Sequence, residues 1–223
     1  MSMEALLKLF AENQNARLHE MVRLMGNFDA LRSQDVSKRD PHFNLFSVLG
    51  FGSNEVALSS LLAWLLNEHG SHGQGNLFLK EFVKLCGFQI PLESMHRYRV
   101  VKEYCRNESI IDVMIYKKPS FLIYVENKIH APEGKDQTAR EFNDMRQVGS
   151  RMQIPEECQY AVFLTPSGHQ PNQHNGSQWH TLSHSDLAST FMNSDVVDLK
   201  LRHLLNDYCE MGLKWSINYE TDE

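Results

Sequence analysis

Asp112, Glu126 and Lys128 are the residues of this 223-residue chain whose types and spacing could do phosphoryl chemistry. A hard divalent cation is held by carboxylate and carbonyl oxygens together with water, and one or two carboxylates plus a substrate phosphate is the usual arrangement for Mg²⁺. Phosphodiester hydrolysis needs a nucleophilic water, a stabilised pentavalent phosphorane and a neutralised leaving oxygen, which a cation and an ammonium can supply together. Glu126-Asn127-Lys128 alone is a weak signal, because a Glu-x-Lys tripeptide recurs by chance on solvated strand faces. Asp112, fourteen residues upstream and flanked like Glu126 by apolar runs, strengthens it. Carboxylates placed inside a sheet rarely stay there without a partner or a function.

The elements that must position these groups are legible from period-2 patterning. Tyr98 to Tyr104, Ser109 to Tyr116 and Phe121 to Ile129 are β-branched and aromatic runs separated by turn-forming clusters, which predicts an antiparallel three-stranded meander. If Lys118-Pro119-Ser120 forms a three-residue loop, Lys117 faces Phe121 and, counting back, Asp112 faces Glu126. Lys128 then shares the face of Glu126, while Ile111, Val113, Ile115, Phe121, Ile123 and Val125 point the other way into a core. A two-residue turn would split that apolar set between faces, so the hydrophobic pattern selects the first register. Like charges facing each other in a sheet cost about 0.2–1 kcal/mol, and something positive should compensate.

Around the meander, Leu6 to Phe28 carries apolar residues at helical steps, and Val56 to Asn67 repeats the pattern behind Ser53 or Asn54 as N-cap. Gly70 to Gly75 reads as a loop and Leu77 to Leu85 as helix. Asp136 to Gly149 predicts a helical crossover into a buried strand at Tyr160 to Thr165. Ser167 to Ser177 reads as a polar loop, followed by a short strand near Trp179 and a C-terminal helix from about Asp195 to Met211. The expected organisation is a helical extension over 1–43, an α/β core with a mixed sheet over 44–194, and a C-terminal helix and tail over 195–223.

Several motifs in this order resemble the PD-(D/E)XK nuclease superfamily over about Asn44 to Ser185. They are Asn54-Glu55 opening the helix Ala57 to Leu66, His72-Gly73-Gln74-Gly75 with Phe78-Leu79, Ile111-Asp112, Glu126-Asn127-Lys128-Ile129, Ala131, Glu133, Gln137, and Phe163-Leu164-Thr165-Pro166-Ser167-Gly168. The resemblance implies a restriction-endonuclease-like α-β-β-β-α-β core in which Asp112, Glu126 and Lys128 bind metal and activate water. It implies Glu55 as a further acidic member, and Mg²⁺, with Mn²⁺ as a substitute, as the cofactor. His72, Gln74 and Gln137 are candidate substrate contacts. One departure is visible: related nucleases often carry Tyr four residues after the helix Gln, where this chain has Glu141. Other readings stay open, with Glu55 as a helix N-terminal acid, His72 and Gln74 as shapers of a Gly-rich turn, and Gln137 as an ordinary first-turn residue.

The net charge of −6 is unevenly spread: Arg97 to Arg151 carries +3 and the remainder −9. Cys86, Cys105, Cys158 and Cys209 form no C-x-x-C pair, which argues against a zinc ribbon and a secreted disulfide framework and suits a reducing cytoplasm. His169, His174, His180 and His184 have no companion Cys pair for zinc. Met1 to Leu31 lacks the apolar run of a signal peptide, and no segment approaches the roughly 18 apolar residues of a membrane span. The leading expectation is a metal-dependent DNA endonuclease of bacterial restriction, defence or mobile-element context, acting on nucleic acid as a homodimer or with a partner protein. The competing one is a binding or assembly module on the same fold with weak or partner-gated activity.

Overall fold

The computed structural model describes residues 43–105, 109–129, 133–172 and 178–221. The helical extension expected before Phe43 lies outside the described residues. The elements are α1 (Leu45–Val48), α2 (Glu55–Leu66), α3 (Leu77–Cys86), β1 (Arg99–Cys105), β2 (Ile110–Lys117), β3 (Phe121–Asn127), α4 (Gln137–Arg151), β4 (Gln159–Thr165), β5 (His180–Ser183), α5 (His184–Met192) and α6 (Leu199–Thr221).

The strands form one mixed sheet in the order β1-β2-β3-β4-β5. β1, β2 and β3 are antiparallel neighbours, while β4 and β5 run parallel to β3. Lys117 pairs with Phe121 and Val113 with Val125, which is the register that the three-residue loop requires. All seven residues of β3 are buried, as expected for a central strand covered on both faces. α4 supplies the helical crossover that parallel neighbours need, joining β3 to β4.

Two apolar layers hold the sheet. On one face Val113, Ile115, Phe121, Ile123 and Val125 pack with residues of α2, α3 and α5, including Leu62, Phe78, Phe82 and Phe191. On the other face Met114, Leu122, Tyr124 and Phe163 pack with Phe142, Met145 and Val148 of α4. Ile111 departs from the expected alternation and joins this second layer. The β1–β2 register is the same on both sides, Lys102–Val113 and Tyr104–Ile111, but the Glu103–Asp112 pair between them is not made, and Glu103 has a left-handed backbone (φ 49°).

Local signals set the helix ends. Asn54 Oδ1 accepts the Ala57 amide at 3.0 Å and caps α2. α3 stops at Gly87 (φ 68°), whose amide and that of Phe88 donate to Lys84 O and Val83 O in a Schellman closure. α5 begins directly from β5, with the Asp186 amide donating to Ser183 Oγ at 3.0 Å. α6 is longer than expected, and its Tyr208, Met211 and Trp215 form a third buried cluster with Phe46, Leu58, Ile129 and Ala188.

Candidate active site

The C-terminal end of β3 presents successive side chains to opposite layers. Glu126 points toward α4 and is 2% exposed. Its Oε1 accepts from Lys128 Nζ at 3.1 Å and from Gln137 Nε2 at 2.6 Å. Gln137 opens α4, and the same amide nitrogen donates to Glu141 Oε1 at 2.9 Å, one turn along. Gln137 Oε1 accepts the Gly134 amide, so the carboxamide is held at both ends. On the neighbouring strand Asp112 Oδ2 accepts the Asn127 amide at 2.8 Å. Glu55, in the first turn of α2, reaches the chain just beyond β3, where its Oε1 accepts the Ile129 amide at 2.7 Å.

Asn127 faces the opposite layer and fixes this strand end from behind. Its Nδ2 donates to Glu55 O at 3.2 Å and to Ser59 Oγ at 3.0 Å, which leaves Oδ1 to accept from His184 Nε2 at 2.9 Å. His184 Nδ1 then accepts from the Tyr208 hydroxyl at 2.8 Å. Asn127, His184 and Tyr208 are all buried. The x of this Glu-x-Lys motif is thus the first member of a polar chain tying β3 to α2, α5 and α6.

Burial sets the electrostatics. It raises the Asp112 carboxyl to about 6, with Glu55 and Glu103 adding to the effect and the Asn127 amide and Lys128 opposing it. Burial also pushes Glu126 well above the usual carboxylate range, reinforced by Glu141 and Asp112. Glu141 rises to about 8, again chiefly through burial, against the Gln137 hydrogen bond and the Lys128 charge. For Lys128, burial pulls downward but Glu126, Glu55 and Asp112 outweigh it, and the ammonium is held above its ordinary range. One cation therefore faces several carboxylates that resist ionising together.

This donor set fits a divalent cation. Oε2 of Glu126 and Oε2 of Glu141 are buried with no hydrogen-bond partner. An orphaned carboxylate oxygen in a negative cluster is a position that a hard cation satisfies. Among the described residues no three His, Cys, Asp or Glu side chains stand close enough to hold an ion by themselves.

The structure brings Asp112, Glu126, Lys128, Gln137 and Glu55 to one strand end. It does not bring His72 and Gln74 there. His72 Nε2 contacts Asn67 O, its Nδ1 accepts the Gln74 amide, and Gln74 Nε2 returns to His72 O. The ring packs edge-on against Trp64 and Phe78 in the layer opposite Glu126, and burial lowers its pKa. These two residues close the turn between α2 and α3, the alternative that their Gly-rich setting left open. Glu141, by contrast, was not among the expected site residues. Its signal was available: Glu141 falls on the inward stripe Thr138, Glu141, Phe142, Met145, Val148, where a carboxylate has no solvent.

A family model described as the PD-(D/E)XK nuclease superfamily matches residues 43–210, about three quarters of the chain. The chain belongs to this superfamily. The match runs from the approach to α1 into α6 and includes every residue of the cluster just described. Membership in the PD-(D/E)XK superfamily accounts for the mixed sheet flanked by helices, and it points to metal-dependent nuclease activity and nucleic-acid binding. No curated protein and no solved structure matched the chain. No helix among the described residues is long and apolar enough to cross a membrane.

Proposed function

We propose that this protein is a Mg²⁺-dependent DNA endonuclease, with Mn²⁺ as a substitute, whose active site is Asp112, Glu126 and Lys128. The observation that carries the reading is the buried Glu126–Lys128 pair at 3.1 Å beside Asp112, with one oxygen of Glu126 unpartnered. When bound, the cation polarises the scissile phosphate and lowers the pKa of water.

The protein's own residues do the rest. Asp112 and Glu126 supply anionic oxygens from adjacent strands, and the Asn127 amide and Gln137 carboxamide fix their rotamers. The Lys128 ammonium, held charged by its carboxylate neighbours, orients the attacking water and stabilises charge that develops on the phosphorane oxygens. Glu55 secures the backbone at Ile129, so that Lys128 is anchored on both sides. Glu55 is the further acidic member of the site, its charge acting on both Asp112 and Lys128. An inert assembly module would gain nothing from burying these charges, since unpaired buried carboxylates oppose folding. DNA as substrate and a bacterial restriction, defence or mobile-element setting rest on the superfamily alone.

The test is incubation of the purified protein with plasmid, linear duplex, single-stranded DNA and RNA, each with Mg²⁺, Mn²⁺ or EDTA. Nicking or linearisation of plasmid with either metal, and none in EDTA, is the expected result. Cleavage confined to RNA would remove DNA from the proposal. Equal cleavage in EDTA would remove the metal.

A further inference from the structure

A chain of net charge −6 repels a polyanion over most of its surface, so productive contacts with phosphates have to be concentrated where cations gather. One such place lies at the end of the sheet remote from Asp112. Arg97, Arg99, Tyr116, Lys117 and Lys118 line a cavity of about 410 Å³, four cations and one aromatic ring with no acid among them. Arg99 and Tyr116 are direct partners across β1 and β2, and Lys117 and Lys118 lead from β2 into the turn before β3. Among the described residues none of the four cations is held in an ion pair. Lys117 Nζ donates to Glu93 O at 3.3 Å.

Four uncompensated cations around one hollow repel one another, and an anion relieves that repulsion. Guanidinium groups match phosphate oxygens in paired hydrogen bonds, and lysines add point charge. The cavity falls in the ~300–1,000 Å³ range of ligand sites. Tyr116 pairs with Leu122, and Glu126 lies four residues further along β3, about 13 Å at ~3.3 Å per residue. Along one duplex strand, phosphates recur about every 3.4 Å of helix axis. We propose that this basic pocket is a subsite for the phosphodiester backbone of the nucleic-acid substrate, about four nucleotides from the bond at Glu126. The distance and the role rest on the nuclease reading above; the anion site itself does not.

The experiment measures the anisotropy of a fluorescein-labelled duplex of about 20 base pairs in EDTA, with salt varied, using the full chain. The double variant Arg99→Ala, Lys118→Ala is compared with the parent and with Lys84→Ala, an exposed lysine on α3 next to Glu81. The pocket predicts affinity weaker by about tenfold or more in the double variant. The slope of log affinity against log salt should fall by about 1.8, for two lost phosphate contacts at about 0.9 each. Lys84→Ala should retain parental values, and all three proteins should melt within about 2 °C of one another. Parental affinity and slope in the double variant, or an equal loss in Lys84→Ala, would overturn the subsite. Binding of AMP that requires Arg99 and Lys118 while duplex affinity does not would also overturn it, assigning the pocket to a free nucleotide. Because EDTA suppresses cleavage, pocket-dependent DNA binding by a protein that never cleaves would count against the nuclease reading alone.

Discussion

Glu126→Gln is expected to abolish Mg²⁺-dependent cleavage while leaving the metal-free protein as stable as the parent, or more stable by about 1 kcal/mol. The amide oxygen can still accept from Lys128 and Gln137, as Oε1 of Glu126 does. The amide nitrogen takes the place of Oε2, which has no partner to lose. Removing the charge also removes its burial in a dry site and its repulsion with Glu141 and Asp112. Because the folded-state pKa of Glu126 is raised, the stability tied to its protonation is present below pH 4.5 and lost as pH rises through the raised folded value. The advantage of the variant should therefore shrink toward zero as the solution is acidified to about that pH. Cleavage should fall by about 10²–10³ or more, because a neutral amide does not replace a carboxylate ligand. A ligand that binds only the native state adds RT ln(1 + [L]/Kd), about 2.7 kcal/mol at one hundred times Kd. Mg²⁺ should thus raise the melting temperature of the parent and largely fail to raise that of the variant. Destabilisation of the metal-free variant by several kcal/mol would instead make Glu126 a structural carboxylate.

His184→Ala should destabilise the protein by about 3–5 kcal/mol at neutral pH, the sum of a cavity and two buried polar partners left unmade. Asn127 Oδ1 and the Tyr208 hydroxyl are those partners. The milder Tyr208→Phe removes only the terminal hydroxyl and should lower stability by about 1 kcal/mol. Burial pushes the His184 pKa from 6.5 down to about 3, so the ring is neutral in the folded state. A depressed histidine contributes stability that is present above pH 6.5 and lost as pH falls toward 3. Asp112, raised to about 6, and Glu141, raised to about 8, act with the opposite sign and favour the folded state as pH falls to about 4. The two effects partly cancel between pH 6.5 and 4. Below about 4 the contribution of these two carboxylates fades, and His184 adds a loss of up to about 1.4 kcal/mol per pH unit that levels off near its folded value of about 3. Denaturant titrations at pH 7, 4 and 3 should show a steep acid loss in the parent that His184→Ala lacks. A substitution that costs less than 1 kcal/mol at neutral pH and keeps the same acid limb would refute the role given to His184.

The register around the site was legible because one face of β2 and β3 is apolar at every second position, and only the Lys117–Phe121 pairing keeps that set together. The β2–β3 ladder ends at Val113–Val125, one step short of the expected Asp112–Glu126 pair, and the two carboxylates are close enough for the charge of Asp112 to raise Glu126. Ile111 joins the other layer, next to the place where the Glu103–Asp112 pair of the β1–β2 ladder is not made, and nothing in the pattern of β2 announces that gap. His184 read as the flank of a polar loop, since Ser183-His184-Ser185-Asp186 is polar throughout; its burial depends on Asn127 and Tyr208, 57 and 24 residues away. Ser183 followed by Asp186 was nonetheless a readable capping signal for α5. Glu141 was noticed only as a departure from a family pattern, whereas its place on the buried stripe of α4 marks it as part of the cluster. His72 and Gln74 attracted attention through their glycine-rich setting, and their hydrogen bonds turn out to be local to that turn.

The most direct measurement is single-turnover cleavage of an end-labelled duplex by the parent and by Lys128→Ala, with Mg²⁺ affinity of both proteins determined by calorimetry. Matched preparations also control for contaminating nuclease, which would be indifferent to the substitution. If Lys128 acts on water and the phosphorane rather than on the cation, cleavage falls by about 10²–10³ and Mg²⁺ affinity stays within a few-fold. Cleavage by Lys128→Ala at the parental rate, or loss of metal binding in that variant, would contradict the account.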